Sequence, residues 1–393
     1  MTRWTTGIAA MALAAAGTTA AAEDIKVGFV TTLTTPAAVI GQDMVDAVKL
    51  AQKQFGTEVA GKTVEIIFED DGFKPEVGRQ KVEKLIQADD VEVVAGFIWS
   101  HVLLASQQRA LRAGKILIST NAGPSELAGR ACNANFVSTR GQNDVTPMAL
   151  GEQMNKDGVK SVYIMAPNYA AGKDITRGVE STFKGEVLGK DLTRWGADAQ
   201  LDFSAELAKV KASGAEAMMV FYPGRAGGAF FSQLERAGLG DIPVYSVWTV
   251  DAISLPKMQE AGLQSVKNTI TVEGWSPDLD NAANKKFVEG FREEYGRTPS
   301  FYAMGAYELV PLLYSAIEAV DGDVSDTEGM SKALHEANFD STRGAYSYGK
   351  NGFPIADYFS RKVVEGEGGE WTFEVTGVAA ADSQDPYVGD CRL

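Results

Sequence analysis

Val93-Val94-Ala95-Gly96-Phe97-Ile98-Trp99-Ser100-His101-Val102-Leu103-Leu104-Ala105 reads as a short β-branched strand, a glycine, a polar and aromatic corner, and the first turn of an apolar-periodic helix. In an α/β protein, a strand end that opens onto a helix N-terminus leaves backbone N–H groups free, and ligands usually sit there. Ser100 and His101 are therefore expected at the mouth of a small-molecule cleft whose walls the rest of the chain supplies.

Outward from this stretch, short apolar strands alternate with amphipathic helices. Ile25 to Val30 reads as a strand, and Met44, Ala47, Val48, Ala51 and Phe55 then recur at helical spacing. Thr63 to Glu69 is the next strand, Pro75 opens a helix with Val82, Leu85 and Ile86 inward, and Ile116 to Ser119 is the strand after the opening stretch. Four βα units in a row imply a parallel sheet covered on both faces.

The rhythm restarts after a break at Phe136 to Asn143, with strands at Ser161 to Met165, Glu186 to Leu188, Ala217 to Tyr222 and Pro243 to Val247 separated by helices. Beyond a strand at Thr269 to Val272 the pattern turns helical over Asn284 to Tyr295, Tyr302 to Val320 and Thr327 to Ala337. These helices lack strands for a third sheet and are expected to cover the first domain. Ala345 to Tyr348, Asp357 to Val364 and Trp371 to Val375 close the chain as strands, with a hairpin turn over residues 365–369. No low-complexity linker separates the halves, so a hinge with a cleft beside it is expected.

At 393 residues the chain is long enough for two domains, and 45% hydrophobic with 23% charged residues is an ordinary globular balance. A net charge of −15 argues against nucleic acid as a partner, since that contact relies on a basic surface. Residues 1–22 combine Arg3, a short apolar core over Ile8 to Ala16 and a small-residue run to Ala22, the pattern of a cleaved secretory signal peptide. Export to an oxidising compartment makes Cys132 and Cys391, the only two cysteines, read as one disulfide, with two free buried thiols as the alternative.

Enzyme signatures are scarce. The two histidines, His101 and His335, are far apart and have no metal-ligand partner at suitable spacing, so neither a metal nor a catalytic residue is assigned. Ser100 beside His101 cannot form the base-to-nucleophile hydrogen bond unaided, because neighbours on a chain point different ways. Asp70-Asp71 fits a cation site or, more simply, a strand end and cap. The run 223–228 lacks either nucleotide-loop pattern, but a helix N-terminus with Arg225 could hold a carboxylate, the alternative being a surface turn. Phe97, Trp99, Tyr169, Tyr222 and Trp248 follow strand ends in both halves, beside hydroxyls at Ser100, Ser119, Thr120 and Thr249. That placement suits a flat or apolar small ligand.

Over essentially the whole mature chain, the ordered set Ile25 to Pro36, Gly41-Gln42-Asp43, Glu69-Asp70-Asp71 with Pro75, Gly96 with Ser100-His101, Ile116 to Glu126, Tyr169 and Leu234 to Leu239 resembles the periplasmic type I solute-binding proteins of the Leu/Ile/Val class. The resemblance implies an α/β fold of two Rossmann-like lobes, residues 23–143 plus 274–352 and residues 144–273 plus 353–393, joined by a three-crossing hinge. It implies a monomeric periplasmic receptor, without cofactor, that hands its ligand to ABC permease subunits. The ligand contacts then fall on Ser100, His101, Asn121, Ala122 and Gly123 for the carboxylate and on Tyr169 as a cover, with Trp99, Tyr222, Arg225, Trp248 and Thr249 around them.

Amino-acid binders of that class carry an acidic residue where this chain reads Trp248-Thr249-Val250-Asp251. Asp251 is the one candidate for that place, yet Trp248 takes up the wall and no other acid is near in sequence. An ammonium buried without a counter-charge is strongly unfavourable. Trp99 and the Asn121 to Ser125 stretch look more like the branch that takes aromatic acids such as benzoates and hydroxycinnamates. A branched-chain amino acid or amide receptor, and a sensor subunit for a membrane kinase, are the alternatives.

Overall fold

The computed structural model describes Met1 and residues 24–196, 199–366 and 368–393. The leader read over residues 1–22 falls outside them apart from Met1. The first half runs β1 (Ile25–Thr31), α1 (Ala38–Phe55), β2 (Glu58–Val59), β3 (Lys62–Asp70), α2 (Pro75–Gln87), β4 (Val93–Gly96), α3 (Ser100–Arg112), β5 (Ile116–Ser119), α4 (Ser125–Ala128) and β6 (Phe136–Ser138). Its sheet has the order β2-β3-β1-β4-β5-β6, parallel except for the β2 hairpin. Phe136 to Ser138, read as a break, is thus a sixth strand; three residues are too few to show a period of two.

The second half runs α5 (Val145–Lys156), β7 (Ser161–Pro167), α6 (Ala170–Thr182), β8 (Glu186–Thr193), α7 (Ser204–Ser213), β9 (Ala217–Val220), α8 (Arg225–Arg236), β10 (Val244–Ser246), α9 (Leu255–Glu260) and β11 (Thr269–Glu273). Next come α10 (Ala282–Tyr295), α11 (Phe301–Ala319) and α12 (Thr327–Glu336), then β12 (Ser347–Tyr348), β13 (Pro354–Glu365) and β14 (Trp371–Ser383). The second sheet has the order β12-β13-β11-β10-β9-β7-β8, with β14 paired to β13. Strands β7 to β11 pair in parallel, whereas β13 returns antiparallel on β11. Helix α5 was not foreseen, because Pro147 in its first turn and Gly151 in its middle interrupt the apolar spacing.

Helices α10, α11 and α12 place Phe287, Phe291, Leu309, Leu313 and Leu334 in the core of the first sheet, where Val27, Phe29 and Val94 also lie. The chain therefore leaves the first sheet after β6 and comes back after β11 to add these helices. It goes over once more ahead of β13. The C-terminal tail is tied to the loop after α4 by the Cys132–Cys391 disulfide, with the Cα atoms 5.6 Å apart.

Gly96 shows why the opening stretch turns as it does. Its φ is 105°, and an added Cβ would lie 2.3 Å from the Val30 carbonyl oxygen, the same oxygen that accepts the Phe97 N–H at 2.7 Å. Both the left-handed backbone and the close approach demand glycine. Gly96→Ala is expected to cost more than about 1 kcal/mol, read as a fall in the urea midpoint; an unchanged midpoint would mean that the corner relaxes freely. The disulfide closes a loop of 259 residues, and its reduction is expected to remove about 2–5 kcal/mol, measured by unfolding with and without reductant.

Candidate functional site

The carboxyl ends of β4, β5, β7, β9 and β10 meet across one cleft. Its inner end is a cavity of about 20 Å³. From the first lobe it is lined by Trp99, Ser100, Asn121, Ala122, Asn143 and Tyr302, and from the second by Tyr169, Phe221, Pro223 and Trp248. Outside Trp99 the cleft widens into a chamber of about 320 Å³ between Phe73, Trp99, Trp195 and Arg225.

The aromatic wall is held by a polar turn. Asp71 is fully buried; its Oδ1 accepts the Thr32 hydroxyl at 2.6 Å and the Phe73 N–H at 2.8 Å. Thr32 Oγ1 in turn accepts the Trp99 Nε1–H at 2.9 Å. Phe73 and Trp99 are thereby set in a stack, centroids 4.3 Å apart. Asp70 accepts from the Leu33 and Gly72 N–H groups and the Thr34 hydroxyl. The Asp70-Asp71 pair thus closes turns here, the simpler of its two readings.

The second lobe meets that stack directly. Trp195 lies edge-on to Trp99 at 5.9 Å and stacks on Tyr169 at 5.8 Å. Phe221 continues the row behind Tyr169 at 6.3 Å and meets Trp248 at 5.7 Å. Trp248 holds a left-handed φ of 51°, a conformation that a bulky residue keeps only when its surroundings impose it. Beside it the Thr249 hydroxyl accepts the Tyr222 N–H at 2.9 Å and shares its single proton between the Val220 and Val247 carbonyls, at 3.1 and 3.2 Å.

The polar corner lies at the start of α3. Ser100 and His101 occupy its first turn, so their N–H groups have no carbonyl partner within the helix. Ser100 Oγ accepts from Asn143 Nδ2 at 3.0 Å, and the same amide donates to Asp174 across the cleft. Asp174 also accepts from the Ser125 hydroxyl and from Arg177. Asn121 Nδ2 donates to the Ile98 carbonyl at 2.7 Å, which fixes the loop after β5 against that after β4. Two helix N-termini, those of α3 and α6, face the cavity from opposite lobes and favour negative charge between them.

The structure brings together Trp99, Ser100, Asn121, Ala122, Tyr169 and Trp248 at the inner cavity, with His101 beside them. It does not bring Tyr222 there: that ring is fully buried in the second lobe, 4.6 Å from Phe203, with its hydroxyl accepting from Thr193. Phe221 takes the place at the cleft, as adjacent residues in an extended chain face opposite ways. Thr249 is buried as a brace, and Gly123 donates to Asn143 Oδ1 without lining the cavity. Arg225 opens α8 at the outer chamber.

His101 differs in its electrostatics from an anion-holding cation. Its ring packs against Phe73 at 5.7 Å and Tyr169 at 5.4 Å, and burial pushes its pKa from 6.5 down to about 4 despite Glu76. The imidazole is therefore neutral at neutral pH. Asp251 also stays apart: its Oδ1 accepts the Ile253 and Ser254 N–H groups, and burial pushes its carboxyl up to about 6. Reading the sequence missed Phe73, Asn143, Asp174, Trp195, Phe221 and Tyr302. Of these Phe221 carried a signal, the alternation that sets it opposite Tyr222, whereas Trp195 lies just past the end of a β8 longer than expected.

Residues 24–369 match the family model of the periplasmic binding proteins. Leu/Ile/Val-binding protein homolog 6 of Brucella abortus is 25% identical over 392 residues, 95% of this chain and 97% of that protein. A solute binding protein of an ABC transporter from R. palustris, in complex with benzoate, superposes with a TM-score of 0.86 at 26% identity, over 94% of this chain and 100% of that one. Another, from Rhodopseudomonas palustris BisB5 in complex with 3,4-dihydroxy benzoic acid, gives 0.83 at 27% identity over 92% and 99%. A leucine binding protein from Thermotoga maritima shares the fold, with a TM-score of 0.79 at 19% identity over 89% and 97%.

The buried state of His101 yields a pH test. On acidification the unfolded chain takes up the imidazole proton at 6.5 and the folded protein only near 4, so stability falls as pH drops through that window and is unaffected above it. Relative to His101→Gln, the wild type should lose stability between those two values; a difference independent of pH would contradict a buried neutral ring.

Proposed function

The chain belongs to the periplasmic binding protein family, and from that membership we propose that it is the extracytoplasmic receptor of an ABC importer for a small aromatic carboxylate of the benzoate or hydroxycinnamate type. Proteins of this family bind small molecules and deliver them to membrane permeases. One observation carries the choice of ligand: the inner cavity joins an anion-favouring corner to aromatic walls, and no acidic side chain is among the described residues that line it. An α-ammonium would lack a counter-charge there.

In this reading the carboxylate sits at the first turn of α3, on the Ser100 hydroxyl and the N–H groups of Ser100, His101 and Asn121; Ala122 lines the site, but its own N–H is taken by the Phe97 carbonyl at 3.0 Å. The ring stacks on Tyr169, Trp99 or Trp248. A ring needs a cavity of about 150 Å³, more than the inner cavity of about 20 Å³ offers. Entry therefore requires the lobes, residues 23–143 plus 274–352 and 144–273 plus 353–393, to separate at the hinge and close again around the ligand. The protein works as a monomer in the periplasm after loss of residues 1–22, and nucleic acid is not a partner. Among the described residues no helix is long and apolar enough to cross a membrane.

The relation to proteins named for leucine, isoleucine and valine makes the aliphatic amino acids the necessary comparison. In a thermal-shift series, benzoate, hydroxybenzoates and hydroxycinnamates at about 100 times Kd should each stabilise by about 2.7 kcal/mol, a rise of several degrees. Leucine, isoleucine and valine should leave the midpoint unchanged. Stabilisation by an aliphatic amino acid alone would refute the aromatic reading.

A further inference from the structure

The outer chamber is large enough to hold part of a ligand, which the inner cavity is not: about 320 Å³ against about 20 Å³. The two share Trp99 and Pro223, so a ligand held at the polar corner can continue outward past Trp99. Three aromatic rings, Phe73, Trp99 and Trp195, wall the chamber. Two cations also line it: Lys74, one residue after Phe73 in the first lobe, and Arg225, at the N-terminus of α8 in the second. No acidic side chain is among its described lining residues.

We propose that the chamber is a second anion subsite, and that the ligand is an aromatic acid bearing a second acidic group, its far charge bridging Lys74 and Arg225. This rests on the aromatic-carboxylate reading of the inner site and adds to it the class of substituent. The physical reason is closure. Lys74 and Arg225 belong to different lobes, so bringing the lobes together gathers two like charges around one chamber, a repulsion that an anion between them reverses. A monoanion spends its charge at the α3 corner and brings none to the pair. A dianion meets both, and so favours the closed arrangement over the open one. Phe73 and Trp195 give the intervening carbons an apolar path.

The test compares ligands of one shape and different charge by calorimetric titration: benzoate, terephthalate, isophthalate and 4-carboxycinnamate, with the monomethyl ester of each diacid as control. At low salt the best diacid should bind about tenfold or more tightly than its own monoester, a difference of about 1.4 kcal/mol, and the ratio should shrink in high salt as the charges are screened. In Lys74→Gln and Arg225→Gln, changes at exposed positions, the diacid-to-monoester ratio should fall toward one. Monoesters that bind as tightly as every diacid, or a ratio unmoved by both substitutions, would overturn the subsite while leaving a benzoate receptor intact. Failure of benzoate and all the esters and diacids to bind would instead remove the aromatic reading on which it rests.

Discussion

Arg140 and Glu273 form an ion pair of 2.9 Å between side chains that are 4% and 1% exposed. They stand just past β6 and at the end of β11, where the chain leaves each sheet. The Arg140 guanidinium also lies 4.7 Å over the Phe301 ring at the start of α11, and Thr139 donates to the Gly305 carbonyl in the same helix. The third strand of chain joins through Tyr358 of β13, whose ring faces Gly141 and Gly274 so closely that a Cβ on Gly141 would strike its hydroxyl. Burying such a pair brings little net stability, because desolvation consumes most of the attraction, yet breaking one partner costs about 3–5 kcal/mol. Its consequence is geometric. It holds the ends of two separately built sheets at one fixed place, and every residue of the cleft is positioned from there.

From that fixed point the lobes meet through aromatic faces. Phe73 and Trp99 on one side and Trp195 and Tyr169 on the other make a continuous series of edge and stacked contacts. Each such pair is worth about 0.5–1.5 kcal/mol beyond its burial, so the contact is favourable but small beside the stability of either core. A receptor needs that balance. A ligand shifts the lobes only by its differential affinity for the closed form, and a closure already deep on its own would have to be undone before anything could enter.

The opening stretch was legible because two independent signals coincide there. Val93 to Ala95 marks the strand and Gly96 the corner, and the structure supplies the reason in the Val30 carbonyl that leaves no space for a Cβ. The same alternation that revealed the strands could have corrected Tyr222. Strand neighbours face opposite ways, so a buried Tyr222 beside Phe203 requires Phe221 at the cleft. Trp195 was harder to read, since β8 runs five residues past the Leu188 expected as its end and carries the tryptophan to the cleft from further along the chain. The neutrality of His101 had no sequence signal at all. It follows from Phe73 and Tyr169, which come from different lobes and close on the ring only in three dimensions. Local pattern thus located the strand ends, whereas the environment of each side chain at those ends is set by partners far away in sequence.

The direction of the hydrogen bonds at the corner then follows from the same long-range partners. Asn143 Nδ2 donates to both Ser100 Oγ and Asp174, and Asp174 is held in place by Ser125 and by Arg177. Because an amide NH₂ can only donate, Ser100 Oγ must accept from it, which leaves the serine proton free to point elsewhere. The first-turn N–H groups of α3 point outward beside it. A carboxylate placed there meets the serine O–H and the free helix N–H groups, whereas an ammonium would meet N–H groups that cannot accept from it. Asn143, held by Asp174 of the opposite lobe, therefore fixes how Ser100 can point, so that lobe closure and the orientation of the binding corner are one arrangement of the same hydrogen bonds.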